Sequence, residues 1–274
     1  MHRHGSTGAR APHVRSDPGP ISRNPRQPLG FQSAEEYLRA CMSMRAVVLQ
    51  HETHEGLGLL ERPLIDAGFL ITKRFREAKH DDLEAELIIV MGGSMSVWAT
   101  DQHPFLRDEL ALLTERVALN RPVLGVCLGA QLLAAAAGAN VSQGKNGFEV
   151  GAAPVRWTKA ALEDPVIKGV SAKSIVGHWH EDTWSPVANA TLLASTDRYS
   201  QQAFRLGDSF GFQFHPELSA EMLGEWIDLN EELLEIAEKN VAELRAGLPK
   251  LKAAEAENTL LLERLAHHFA RVAR

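Results

Sequence analysis

Cysteine is nearly absent from this chain: its 274 residues include only Cys41 and Cys127. So few cannot build a disulfide scaffold, and the count fits a reducing compartment such as the cytoplasm. Long apolar runs are missing, so no segment is expected to cross a membrane as a helix. The N-terminus lacks an apolar h-region, so a secretory signal peptide is not expected. Basic charge is not in excess. A net charge of −6 gives no ground for a nucleic-acid partner. There is no Gly-rich phosphate loop and no internal repeat. What remains is ordinary globular composition, 45% hydrophobic and 23% charged.

The first stretch differs from the rest. Up to about Gly30 it holds five arginines, one acid (Asp17) and many Pro, Gly and Ser residues. Such a segment cannot bury a core, and residues 1–43 are expected to be a disordered extension. It is either dispensable or upstream sequence from a mis-called start, with Met42 and Met44 as alternative starts. Cys41 then falls outside the folded unit and receives no role.

From Arg45 the pattern alternates. Arg45–Gln50, Phe69–Thr72 and Leu87–Met91 read as short buried strands, and Phe105–Leu119 as a helix. Alternating strands and helices indicate an α/β fold with a parallel sheet covered on both faces. Ligand sites in such sheets lie beyond the carboxyl ends of the strands. Further on, Val155–Trp157, Ser174–Val176, Thr191–Ser195, Gln202–Leu206 and Phe210–Phe214 read as antiparallel additions. From Ala220 the pattern is helical, with Gly247-Leu248-Pro249 expected to divide it into two helices. Leu229, Leu233, Leu234, Ile236 and Ala237 form one apolar face there; Leu260, Leu261, Leu265, Phe269 and Val272 form another. Both are expected to cover the sheet, with a partner surface as the alternative.

Gly125-Val126-Cys127-Leu128-Gly129 joins an apolar run, Pro122–Val126, to a helix-forming run, Gln131–Ala137. Strand, tight turn and helix with a cysteine at the turn match a nucleophile elbow with sulfur in place of oxygen. The flanking glycines permit the sharp turn, and the start of a helix favours a thiolate. A lone cysteine is more often a buried structural residue; this placement favours the nucleophile, which would form a thioester with an acyl or amide carbon. His215, at the end of an aromatic strand and before Pro216, is the candidate base. Glu217 can orient it by accepting its other N–H. Taken singly, these two read equally well as a structural histidine and a solvated acid. The Gly92-Gly93 turn can point a backbone N–H at a developing negative charge, with the N–H of Leu128 as second donor. His51 and His54 with Glu52 and Glu55 read as a polar loop at the mouth of the site. His267 and His268 read as solvated. No metal and no cofactor is expected.

These motifs resemble the class I (triad-type) glutamine amidotransferases, in the stand-alone branch that looks like the glutaminase half of GMP synthase. The resemblance rests on Val90–Val97, Pro122–Leu132, Phe148–Gly151, Trp179–Asp182 and Gly211–Glu217. It covers about residues 44–226, leaving 227–274 as a C-terminal helical extension packed on the same domain. It implies a three-layer, flavodoxin-like sandwich with a central, mostly parallel sheet, antiparallel additions and C-terminal helices. It implies that Cys127 attacks the side-chain amide of glutamine, releases ammonia and leaves a γ-glutamyl thioester for water to cleave. Gln131 matches the glutamine that holds the amino-acid end of the substrate. Trp179, His180 and Glu181 match the stretch that closes over it. Two positions depart from the branch: Glu181 stands where Gly is usual, and Ser94 where Pro is common.

A full GMP synthase is not expected, because a second, ATP-using domain has no room in the chain. Three readings stay open. One is a glutaminase subunit feeding ammonia to a synthetase partner. Another is a partner-independent hydrolase of γ-glutamyl peptides or amides. The third is a non-catalytic relic that binds a partner or senses oxidants.

Overall fold

A computed structural model describes residues 44–274; the N-terminal extension, with Cys41 and Met42, lies outside the described residues. Five parallel strands form one half of a nine-stranded sheet. They are β1 (Met44–Gln50), β2 (Phe69–Phe75), β3 (Leu87–Val90), β4 (Val123–Val126) and β11 (Ser209–Phe212). The other half is antiparallel and contains β6 (Glu149–Trp157), β7 (Lys173–His180), β9 (Thr191–Ser195) and β10 (Ala203–Leu206). The strand order is β2-β1-β3-β4-β11-β10-β9-β6-β7. A separate two-stranded ribbon pairs β5 (Val141–Ser142) with β8 (Thr183–Trp184).

The central parallel strands β3 and β4 are buried at every position because both faces are covered. Ala46, Val48, Leu87 and Ile89 pack into one core with Leu261, Leu265 and Phe269 of the last helix. Val47, Leu49, Ile88 and Val90 pack into the other with Leu106 and Leu113 of α2 (Phe105–Ala118) and Leu132 and Leu133 of α3 (Leu128–Ala136). Helix, sheet and helix make the three layers of the α/β sandwich. The short α1 (Glu61–Asp66) shares the first face, and α4 (Lys159–Glu163) follows β6.

The C-terminal helices depart from expectation. Helix α5 (Ala220–Leu229) is followed by α6 (Glu231–Ile236) and by one continuous helix, α7 (Val241–Val272), which runs through Pro249. The break is therefore not at Gly247–Pro249 but at Asn230 and residues 237–240. Asn240 caps α7 by accepting from the Glu243 N–H at 3.2 Å. Leu244, Leu248 and Leu251 pack beside Val150 and Ala152 of β6. That burial outweighs the roughly 3 kcal/mol cost of an interior proline. The first apolar face is also corrected: Leu229, Leu233 and Ile236 are exposed by 64%, 51% and 74%, while Leu234 is buried. The turn at Asn230 separates residues whose spacing reads as one helix. Leu261, Leu265 and Phe269 do cover the sheet, whereas Leu260 faces out.

His268 is buried, not solvated, with its ring against Phe210. Strand β7 is longer than its apolar stretch suggests, because Trp179 and His180 continue the pairing with Val150 and Glu149.

Candidate active site

Strand β4 delivers Cys127 to the start of α3 in a backbone conformation of φ 51° and ψ −110°. An L-residue rarely adopts this region, and the elbow holds it there. The Cys127 N–H is tied to the Phe212 carbonyl of the neighbouring β11 at 2.8 Å. Just beyond the end of that strand, His215 is fixed by its own N–H to the Gly177 carbonyl at 2.9 Å. Pro216 follows, and Ser219 caps α5 by accepting from the Met222 N–H. Adjacent parallel strands thus bring an early sulfur and a late imidazole to the same edge.

Gly92 lies between them. A Cβ built there would stand 3.1 Å from His215 Cε1 and 3.6 Å from Cys127 Cβ, and would collide with Glu55 Oε2. Only glycine fits. His215 Nδ1 lies 2.8 Å from Glu217 Oε1, and its Nε2 is buried without a hydrogen-bond partner. Burial pulls the His215 pKa down, but the Glu217 carboxylate and the Cys127 sulfur outweigh it and hold it well above the ordinary value. Trp226 stands edge-on to the ring, 5.0 Å between centroids.

A cavity of about 470 Å³ opens in front of these groups, within the range of small-molecule sites. Cys127, His215, Gly93, Gln131, Trp179, His180 and Glu181 all border it; Glu217 sits behind His215. Gly93 and Leu128 are the expected oxyanion donors. Among the described residues, neither backbone N–H donates to a protein acceptor. Gln131 is buried, and its Nε2 donates to Gln213 Oε1 at 3.2 Å. Gln213 in turn directs its Nε2 at the Cys127 sulfur, 3.7 Å away, and the sulfur lies 3.8 Å from the Trp179 carbonyl. Trp179 packs edge-on against Phe148 and Trp226. The two departing positions sit on the rim: Glu181 accepts from Gln143 Nε2, and Ser94 donates to Glu52.

Reading the sequence assigned no role to Gln213, which it took only as part of an aromatic strand. It also placed the loop after β1 wrongly in part. Glu52, His54 and Glu55 do border the cavity, but His51 is fully buried. Glu55 faces His215; burial raises its carboxyl pKa, with the histidines opposing.

Glu149, His178 and His180 bring one potential ligand atom each within 4.8 Å of one another. Two imidazoles and a carboxylate suit a transition metal. Here, however, the Glu149 carboxylate already accepts from His180 Nε2 at 3.0 Å and from Gln202 Nε2. Glu149, bonded to His180 and Gln202, holds His180 at the cavity wall, and His178 lies beside them with no hydrogen bond of its own.

Residues 67–228 match the class I glutamine amidotransferase family model. The chain belongs to that family. It is 32% identical over 216 residues to a glutamine amidotransferase-like protein, YfeJ, of Salmonella typhimurium, covering 74% of this chain and 90% of that one. It is 30% identical over 158 residues to GMP synthase of Prochlorococcus marinus, but spans only 27% of that enzyme against 57% of itself. It is 35% identical over 124 residues to a glutamine-hydrolyzing GMP synthase subunit of Methanosarcina barkeri, 44% of this chain and 62% of that one. A glutamine amidotransferase crystal structure from Thermotoga maritima superposes with a TM-score of 0.73 at 27% identity, covering 83% of this chain and 98% of that one. No helix among the described residues is long and apolar enough to cross a membrane.

Proposed function

We propose that this family member hydrolyses a γ-glutamyl amide, glutamine in the first instance, through a thioester on Cys127. The observation that carries this reading is the strained Cys127 elbow beside a histidine whose Nδ1 is engaged by Glu217 and whose Nε2 is free. In the reaction the sulfur attacks the γ-carbonyl carbon and a C–S bond forms. The carbonyl oxygen becomes an oxyanion, which the N–H groups of Gly93 and Leu128 receive. His215, carrying a proton, gives it to the leaving nitrogen as the C–N bond breaks, and ammonia departs. His215 then takes a proton from water, whose oxygen attacks the thioester and releases glutamate and the thiol. Gln131, held by Gln213, and the Trp179–Glu181 segment bind the amino-acid end of the substrate.

Residues 44–226 would form the amidotransferase and residues 227–274 its helical extension. A reducing cytoplasm suits the unpaired thiol. The relation to the Methanosarcina barkeri GMP synthase subunit supports an ammonia-accepting synthetase as partner. Glu181 and Ser94, the two residues that depart from the branch, both border the cavity, which supports a second reading, hydrolysis of larger γ-glutamyl amides without a partner.

The test is glutamate release from glutamine and from γ-glutamyl dipeptides by the purified protein. Turnover lost in Cys127→Ser supports the mechanism, and turnover retained refutes it. Dipeptide hydrolysis without a partner would select the second reading.

A further inference from the structure

His51 follows β1, and its buried ring lies between two acceptors. Nδ1 is 2.9 Å from the Gly92 carbonyl oxygen, and Nε2 is 2.9 Å from Oε2 of Glu109, a fully buried acid on α2. A carbonyl only accepts, and an ionised carboxylate only accepts. Both bonds therefore require two protons shared by the ring and the acid, as in an imidazolium facing a carboxylate. Burial pulls the His51 pKa down, but Glu109 and the Gly92 carbonyl together raise it above its ordinary value. Phe105 stacks on the ring at 5.8 Å, and Arg76 Nε donates to the His51 carbonyl at 2.8 Å. Neither His51 nor Glu109 borders the cavity.

The carbonyl that His51 holds belongs to the same peptide as the Gly93 N–H. In a planar trans peptide these two groups point in opposite directions. Anchoring the oxygen on His51 turns the N–H away from His51. Two successive glycines would otherwise let this peptide rotate at little cost. Rotation would bring the carbonyl oxygen to the place where negative charge has to develop.

We propose that Glu109 and His51 form a positioning dyad that locks the Gly92–Gly93 peptide with its N–H directed at the oxyanion. This rests on the thioester mechanism proposed above. The dyad touches no substrate. Its effect reaches the reaction through one backbone donor, and that donor is used mainly in the transition state.

The experiment compares glutamate release with alkylation of Cys127 by iodoacetamide, a displacement at saturated carbon that forms no oxyanion. Glu109→Leu keeps the bulk but leaves Nε2 with no partner, so nothing holds the ring against the Gly92 carbonyl. His51→Leu removes the donor to Gly92, and His51→Gln can restore one. Losing an oxyanion donor costs on the order of 10²–10³-fold in kcat. A misdirected one is expected to cost roughly tenfold to a hundredfold in Glu109→Leu and His51→Leu, with KM and the alkylation rate near wild type. His51→Gln is expected to recover part of the loss. Unchanged kcat in these variants overturns the dyad, as does a parallel fall in kcat and alkylation. If one leucine variant does not fold, the other decides alone. Glutamate release that survives in Cys127→Ser would instead defeat the underlying mechanism, whatever the dyad variants do.

Discussion

His215 Nδ1 stands 2.8 Å from Glu217 Oε1, and both side chains are buried. Glu217 fixes the ring with Nδ1 as donor and leaves Nε2 free for proton transfer. Glu217→Gln is therefore expected to lower kcat by about tenfold to a thousandfold, with a smaller effect on KM. The charge also matters for stability. A histidine whose folded pKa is raised contributes stability that is fully present below about 6.5 and is lost as pH rises through the folded value. Glu217→Gln should then cost more stability at about pH 6 than in the alkaline range above the folded value. Urea unfolding at the two pH values checks this, and an equal cost at both would remove the ion-pair argument.

Cys127 carries the backbone strain of the elbow at φ 51°. A residue held in such a region costs about 1–3 kcal/mol. Cys127→Gly relieves it, against the loss of a small buried side chain and roughly 0.5–1 kcal/mol of extra chain entropy. The variant should melt at or above the wild-type temperature while losing all thioester chemistry. A melting temperature several degrees lower would show that the elbow is not strained.

Two glycines near the elbow separate a steric cost from a conformational one. A Cβ on Gly129 would run into the Val90 carbonyl, where α3 crosses the end of β3. Gly138 has φ 85° but open space around its Cα. Gly129→Ala should destabilise by at least about 3 kcal/mol, beyond the usual range for a surface change. Gly138→Ala should cost about 1 kcal/mol, from conformation alone. Chemical denaturation of the two variants measures the difference, and equal losses would contradict the close packing of α3 on β3.

Much of this was legible in the sequence because it is local. The apolar runs of β1, β3 and β4 are short and continuous, and the Cys127 turn and the His215–Glu217 pair each fit within a few residues. What the sequence hid depends on contacts between distant segments. Gln213 reads as part of an aromatic strand until the fold sets it beside Gln131 and Cys127. His51 reads as a loop residue until α2 brings Glu109 under it. Pro249 reads as a helix break because its local cost is visible and the packing of Leu248 and Leu251 is not. The Leu229–Ala237 face failed because helical spacing was carried across the turn at Asn230.

His178 gives the pH test with the clearest sign. It is 1% exposed, packs against Phe214, and has neither ring nitrogen in a hydrogen bond. Burial first, and then the nearby His180, lower its pKa to about 3. In the unfolded chain the ring protonates near about 6.5. The folded state therefore resists a proton that the unfolded state accepts. This contribution is complete above about pH 6.5 and is lost as pH falls toward the folded value, by at most about 1.4 kcal/mol per pH unit. His178→Leu removes the liability and leaves Glu149 bonded to His180 and Gln202. The variant should match wild type near neutral pH and be more stable by about 1–3 kcal/mol near pH 4.5, with its acid-unfolding midpoint shifted downward. Circular dichroism followed through an acid titration reads that midpoint directly. An unchanged or higher midpoint would mean that His178 takes up a proton inside the folded protein, and that the polar cluster around Glu149 accommodates it.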